Sequence, residues 1–432
     1  MKASLFRRSA PLVAAVSTVL FLLTTGQTLA LPVPTQGVRP VSPGPGGATG
    51  DLQEAVAALR DKQPDQARKF FEAALRTDAR SLPAMLGLAE VAFGQRNDAE
   101  TLKWLLQAER IAPQSAEVQA ALGRYHLSRK QFDKGEAALR KAIQLDPKAA
   151  RARIDLAETL ARKGSAAAAL PLLQEAIALD GQHKGALLLL GQLQYQLGAP
   201  AEAEKALRRV AELDVKDPVP WLLMAGVAKT SAAAKPLLDE ALQRDAKNYR
   251  ALMLKAQWQV LDKDRSGAQD SLRRAADADP KSAEPWVRLG MMEEEGGRKA
   301  EAKRLYLSAI ERDPHQPVAL NNLVMMGMAD KEDPARLETM AKRAAKALPD
   351  NAQVHDTLAL VLRLRKDKAG ALAAAQTAVK LAPKDAGLLA TLADIQAWNG
   401  DRDAARRNAE EALKLQPQGE AAVRARAVLS RV

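Results

Sequence analysis

Cysteine is absent from all 432 residues. Its absence excludes disulfides, thiolate metal sites, a cysteine nucleophile and a lipid-modified N-terminal cysteine. Aromatic residues make up only 3% of a chain that is 47% hydrophobic, so alanine and leucine carry the burial. That mixture argues against a β-sandwich, whose strands want aromatic and β-branched residues, and favours closely packed helices. The four histidines, His126, His183, His315 and His355, never fall within one helical turn of each other. No HExxH, GxSxG, phosphate-loop or kinase-like motif occurs, so no metal, cofactor or catalytic residue is expected and the chain reads as a non-enzyme. A basic run interleaved with aromatics is also missing. The formal charge of +12 is spread among acids along the whole chain ("EKALRRVAELD", "RRNAEEALK"), as on solvated helix faces, and nucleic-acid binding is not expected. The triplet Glu293-Glu294-Glu295 reads as a solvated helix end.

The first thirty residues differ from the rest. Lys2, Arg7 and Arg8 precede an apolar stretch from Leu12 to Leu23, and Thr28-Leu29-Ala30 places small residues one and three positions before a cut. This is the pattern of a secretory signal peptide cleaved after Ala30, giving a periplasmic protein with no transmembrane segment left after cleavage. The alternative is an uncleaved inner-membrane anchor, although the apolar core is short for a membrane span. Residues 31–47, "LPVPTQGVRPVSPGPGG", are too rich in proline and glycine to hold a helix and read as an extended linker. Removing the first thirty residues leaves a net charge of +9.

From residue 48 the chain repeats itself. "KAIQLDPKAA", "SAIERDPHQP", "TAVKLAPKDA" and "EALKLQPQGE" share a small residue followed five positions later by proline. Aligning the small residue gives Ala74, Ala108, Ala142, Ala176, Val210, Ala241, Ala275, Ala309, Ala344, Ala378 and Ala412, spaced by 34 with one gap of 31 and one of 35. A period of this length is two helices and two turns. The clearest copy is 283–316, "AEPWVRLGMMEEEGGRKAEAKRLYLSAIERDPHQ". Leu289 and Tyr306 are spaced to fill the seam between its helices, Gly296-Gly297 turns the chain, and Pro314 ends the second helix. Gly290, Ala302 and Ala309 are expected to be small because the two backbones cross there.

The order Trp286, Leu289-Gly290, Ala302, Tyr306, Ala309, Pro314 resembles the tetratricopeptide repeat (TPR), and the resemblance runs from 48 to 419. It implies an all-α fold, an α-solenoid wound as a right-handed superhelix, with about eleven units starting at 48, 82, 116, 150, 184, 218, 249, 283, 317, 352 and 386. The unit from 218 is three residues short, with the deletion expected between its helices, and the unit from 317 is one residue long. Residues 420–432 read as a capping helix over the apolar end of the array.

Such arrays bind proteins or peptides on a concave groove lined by their first helices. Helix phase turns the second, fifth, ninth, twelfth and thirteenth places of each unit inward, which nominates Phe93, Tyr195, Met253, Val260, Met291, Met325, Met328 and Trp398. Methionines there suit adaptable apolar recognition, and they equally suit gaps in a core; both readings stand. The Lys and Asn set with which some TPR co-chaperones clamp a terminal carboxylate is missing, as is the asparagine ladder of sugar-transferring TPR enzymes. The expected function is therefore a periplasmic scaffold for an envelope, polysaccharide-export, pilus or secretion machine. The alternative is electrostatic binding of an anionic envelope polysaccharide by the +9 array.

Overall fold

The structure, a computed structural model, describes residues 48–432, so the segments expected to be a signal peptide and a linker lie outside the described residues. Every regular element among the described residues is a helix, and they come in pairs. The pairs are α1 (Ala48–Arg60) with α2 (Pro64–Thr77), α3 (Leu82–Gly94) with α4 (Asp98–Ile111), and α5 (Ala116–Ser128) with α6 (Phe132–Leu145). Next come α7 (Ala150–Arg162) with α8 (Ala166–Leu179), α9 (Lys184–Gln196) with α10 (Pro200–Leu213), and α11 (Val219–Gly226) with α12 (Ser231–Arg244). They continue as α13 (Tyr249–Leu261) with α14 (Arg265–Ala278), α15 (Glu284–Glu295) with α16 (Lys299–Arg312), and α17 (Pro317–Ala329) with α18 (Pro334–Ala347). The last are α19 (Ala352–Leu364) with α20 (Lys368–Leu381) and α21 (Ala386–Asn399) with α22 (Arg402–Leu415), followed by a single helix, α23 (Glu420–Leu429). Among the described residues no helix is long and apolar enough to cross a membrane. The described chain divides into two compact halves between Arg244 and Asp245.

Within each half the same rules build every hairpin. Each first helix packs on its own partner, and that partner packs on the first helix of the next hairpin. The recurrent alanine of the second helix, for example Ala74, Ala142, Ala275 and Ala309, is completely buried at this double contact. The residue three positions before it is large: Phe71, Leu105, Leu139, Leu207 and Tyr306 are all fully buried, each stabilising its hairpin by about 1.5–3 kcal/mol. Gly290 is small for a reason that its spacing does not show. A Cβ there would stand 2.6 Å from Cε1 of Tyr306, so the nearest thing the glycine makes room for is a ring. In the N-terminal half Leu139 lies over Gly123 and Leu207 over Gly191, and there a Cβ would also stand 3.3 Å from a carbonyl of the facing helix, Gly135 and Ala203 respectively.

Two turns alternate along the chain. Inside a hairpin, the fifteenth place takes a left-handed backbone in ten of the eleven pairs, with φ between 57° and 95°. Glycine fills four of these positions; Lys62, Arg96, Lys130, Lys263, Lys331 and Lys366 fill the others. The conformation closes the first helix: Gln63 N–H reaches back to the Ala58 carbonyl at 2.8 Å and Lys62 N–H to Leu59 at 3.1 Å. Between hairpins, proline is only part of the stop. In seven of these turns an aspartate carboxylate accepts the backbone N–H two residues on, as Asp146 does from Lys148 at 2.8 Å and Asp313 from His315 at 2.9 Å. Asp78, Asp180, Asp214 and Asp245 do this with no proline beside them, so aspartate carries the turn where proline is missing.

The irregular units are placed somewhat differently from the sequence expectation. The three missing residues of the sixth hairpin come out of its first helix: α11 has 8 residues where most first helices have 13. It is also the hairpin without a left-handed turn residue. The extra residue of the ninth hairpin lies in the turn 330–333. Helix α23 packs on both α21 and α22, burying Ala422, Ala425 and Val428, while Val423 stays exposed.

Candidate protein-binding surface

All eight nominated residues lie on first helices, and seven of them are half-buried. In the N-terminal half, Phe93 leans on the cluster around Met85, Leu86 and Leu105, and Tyr195 on Leu207, Leu223 and Met224. Burial raises the Tyr195 phenol above its ordinary range. In the C-terminal half, Met253 rests on Ala256 and Leu272, and Met291 and Met328 rest on a core that includes Tyr306, Leu323 and Val324. Met325 is also half-buried, and Trp398 packs on Leu362, Leu392 and Ile395. Val260 stands apart, 49% exposed at the end of α13. Met253, Met291 and Met328 thus touch a core on one side and solvent on the other.

The structure brings two of the eight together. Met328 of α17 and Trp398 of α21 line one open concavity of about 700 Å³, with Leu360 and Leu364 of α19 between them. Arg363, Lys366 and Lys368 complete its wall. Lys368 Nζ lies 5.5 Å from the centre of the Trp398 ring, a cation–π distance. Arg363 is paired with Asp394, which also accepts from Arg431 at 2.9 Å. This concavity spans three successive hairpins of the C-terminal half.

The N-terminal half holds a polar network that belongs to no catalytic or metal-binding motif. Arg124 on α5 is 1% exposed and donates to Asp155 of α7 at 3.0 Å. Arg151 donates to the other oxygen of Asp155 at 3.0 Å, and the Thr159 hydroxyl donates to the Asp155 carbonyl at 2.7 Å. Glu90 of α3 faces Arg124 from the preceding hairpin, with its Oε2 buried and without a hydrogen-bond partner. Burial pushes the Glu90 carboxyl up to about 7, against a weaker pull from Arg124. Burial and the nearby Asp155 also raise Glu158. A signal existed: Glu90, Arg124 and Glu158 are each 34 apart, at the ninth place of consecutive units.

The acidic triplet also differs from its reading as a solvated end. Glu293 is 5% exposed and paired with Arg298, which holds its carboxyl below the usual range, and Gln269 donates to it. Glu294 accepts the Tyr306 hydroxyl at 2.8 Å, and that hydroxyl accepts from Asn322 Nδ2 at 2.9 Å. Glu293 and Glu294 tie their hairpin together, while Glu295 is exposed as expected. Three of the histidines are likewise engaged locally. His183 Nδ1 accepts from the Ala186 N–H as the cap of α9, His126 meets Gln131 at 2.7 Å, and His355 meets the Pro349 carbonyl at 2.8 Å.

Two sequence profiles described as tetratricopeptide repeat match the chain, one over residues 48–125 and 160–226, the other over 120–184 and 263–317. Together these spans cover more than half of it. The chain belongs to the tetratricopeptide repeat family. Among curated relatives, Cellulose synthase 2 operon protein C of Komagataeibacter xylinus is 29% identical over 264 residues, or 56% of this chain. The match spans only 17% of that relative's length. Among solved structures, the pilus biogenesis factor PilW is 22% identical with a TM-score of 0.42, covering 46% of this chain and 94% of its own. Yeast Tom70 is 15% identical with a TM-score of 0.38, covering 89% and 96%.

Proposed function

We propose that this TPR protein is an exported, non-enzymatic scaffold of the bacterial periplasm that binds protein partners along the first-helix faces of its hairpins. The carrying observation is the row of half-buried apolar side chains on those faces, Phe93, Tyr195, Met291, Met325, Met328 and Trp398 among them. Side chains anchored on one side and wet on the other suit partner contact, because they can bury more area without unfolding anything. The signal-like residues 1–30 support export. The likeness to a protein named for a cellulose synthase operon favours an envelope polysaccharide machine over pilus or secretion assemblies. A second reading, binding of an anionic envelope polymer, is favoured by the six lysines and arginines held at the hairpin turns.

The test is a photo-crosslinking residue placed at Met325 or Met328, with exposed Glu410 of α22 as the control, in the native envelope. Protein adducts from the methionine positions and none from the control are expected. Equal adducts from all three, or polysaccharide retained only at low salt, would overturn the scaffold reading. Intact mass of the exported chain checks the leader, with a start at Leu31 expected.

A further inference from the structure

The concavity between α17 and α21 has a chemistry more definite than a generic apolar face. Met328, Leu360, Leu364 and Trp398 line it, and the charged side chains around them, Arg363, Lys366 and Lys368, are all cationic. Arg363 shares the Asp394 carboxylate with Arg431, and neither Lys366 nor Lys368 holds an ion-pair partner among the described residues. The site therefore offers apolar surface, an indole face and two free positive charges. Its lining side chains offer nitrogen donors and no oxygen acceptor.

Building on the scaffold reading, we infer that this concavity is the docking site for an acidic–apolar protein segment, one or two aliphatic or aromatic side chains flanked by carboxylates. The apolar side chain covers Met328 and the exposed edge of Leu364, which is 51% exposed, while the carboxylates reach Lys366 and Lys368. A sugar polymer fits less well, because hydroxyl groups need acceptors as well as donors and gain little over methionine and leucine. The chain's own N-terminal stretch is not the occupant, since no aspartate or glutamate precedes Asp51.

Lys366 makes the inference separable from stability. It sits at φ 62°, a left-handed conformation that glycine supplies at the same turn of four other hairpins. Lys366→Gly therefore deletes a charge without straining the fold. The experiment measures fluorescence anisotropy of a labelled octapeptide, two leucines flanked by three aspartates on each side, with the whole 432-residue chain. Binding that weakens about tenfold in the Lys366→Gly/Lys368→Gln protein, with an unchanged thermal melt, is the expected result. Trp398→Leu should weaken it comparably, and rising salt should erode the wild-type affinity.

Equal binding of a peptide with serines in place of the aspartates would overturn the acidic partner class. Binding of an oligogalacturonate that Trp398→Leu abolishes, with no peptide binding, would overturn it in favour of an anionic glycan. Self-association relieved by the double variant would overturn it in favour of a second copy. Crosslinking to an envelope protein from Met325 that survives the double variant, with no probe bound here, would overturn this site and leave the scaffold reading intact.

Discussion

Glu90 offers a test in which pH reports on a single side chain. Its carboxyl is pushed from 4.5 up to about 7 because it is buried with one oxygen unpartnered, and Arg124 recovers only part of that cost. The group is an acid with a raised folded-state value. It therefore costs nothing below pH 4.5, where both folded and unfolded chains are protonated. It destabilises progressively as pH rises toward 7, while the unfolded chain alone gives up its proton, and the penalty is constant above that. At 1.36 kcal/mol per pH unit the full penalty is about 3 kcal/mol, with about 1 kcal/mol already present at pH 5. Glutamine copies the neutral acid in shape and hydrogen bonding, so Glu90→Gln should remove the penalty. Native-state hydrogen exchange of the α3 amides measures this best, since a repeat array need not unfold in one step. Comparing the two proteins at the same pH cancels intrinsic exchange rates. Protection in the variant should exceed wild type by a margin that grows roughly 60-fold between pH 5 and pH 8. A ratio that stays the same at both pH values would mean the carboxylate escapes to solvent. A less protected variant at pH 8 would mean attraction to Arg124 outweighs burial.

Other consequences can be checked alongside. Gly290→Ala would put a methyl group within 2.6 Å of the Tyr306 ring and should lower stability by about 1–3 kcal/mol, read as a lower melting temperature and faster exchange in α15 and α16. Lys130→Gly, at φ 59°, should leave stability unchanged or raise it by up to about 1 kcal/mol. Gly164→Ala, at φ 80°, should lower it by about 1 kcal/mol; the opposite order in matched thermal melts would refute the turn assignment. Amides of α11 and α12 should exchange before those of α15 and α16, because α11 has only 8 residues and a correspondingly smaller packed face. Equal protection would show that the short hairpin is no weak joint.

Much of the fold could be read from residue order because the hairpin is a local object repeated. A small residue every 34 positions, a large one three before it and a turn residue at a fixed distance all act within one or two neighbouring helices. What escaped was the choice among physically equivalent devices. Gly290 reads the same whether it admits a backbone or a ring, and only the position of Tyr306 decides. The deletion in the sixth unit could have shortened a turn or a helix. The structure takes it from α11, because α12 needs its full length to bury Ala234, Leu238 and Ala241. The aspartates of the inter-hairpin turns were in plain view beside the prolines. Proline is the more conspicuous residue there, yet Asp180 and Asp214 make the same turn without it.

The candidate surface was legible only in part, because helix phase says which way a place points and not what occupies its neighbours. The ninth place shows the difference. In the C-terminal half it carries Met291, Met325 and Leu360 in successive hairpins; in the N-terminal half it carries Glu90, Arg124 and Glu158. One position therefore builds an adaptable apolar strip in one half and a charged, partly buried ladder in the other. A methionine can be covered by a partner at little cost, whereas covering Glu90 or Glu158 would strip more water from carboxyls already raised by burial. A neutral apolar segment is thus favoured on the methionine strip and penalised on the ladder, and a partner for the ladder must bring donors of its own. Replacing Glu90 with glutamine lowers that penalty, so the Glu90→Gln protein should lose nothing in peptide binding at Lys366 and Lys368 while changing the pH dependence of its N-terminal half.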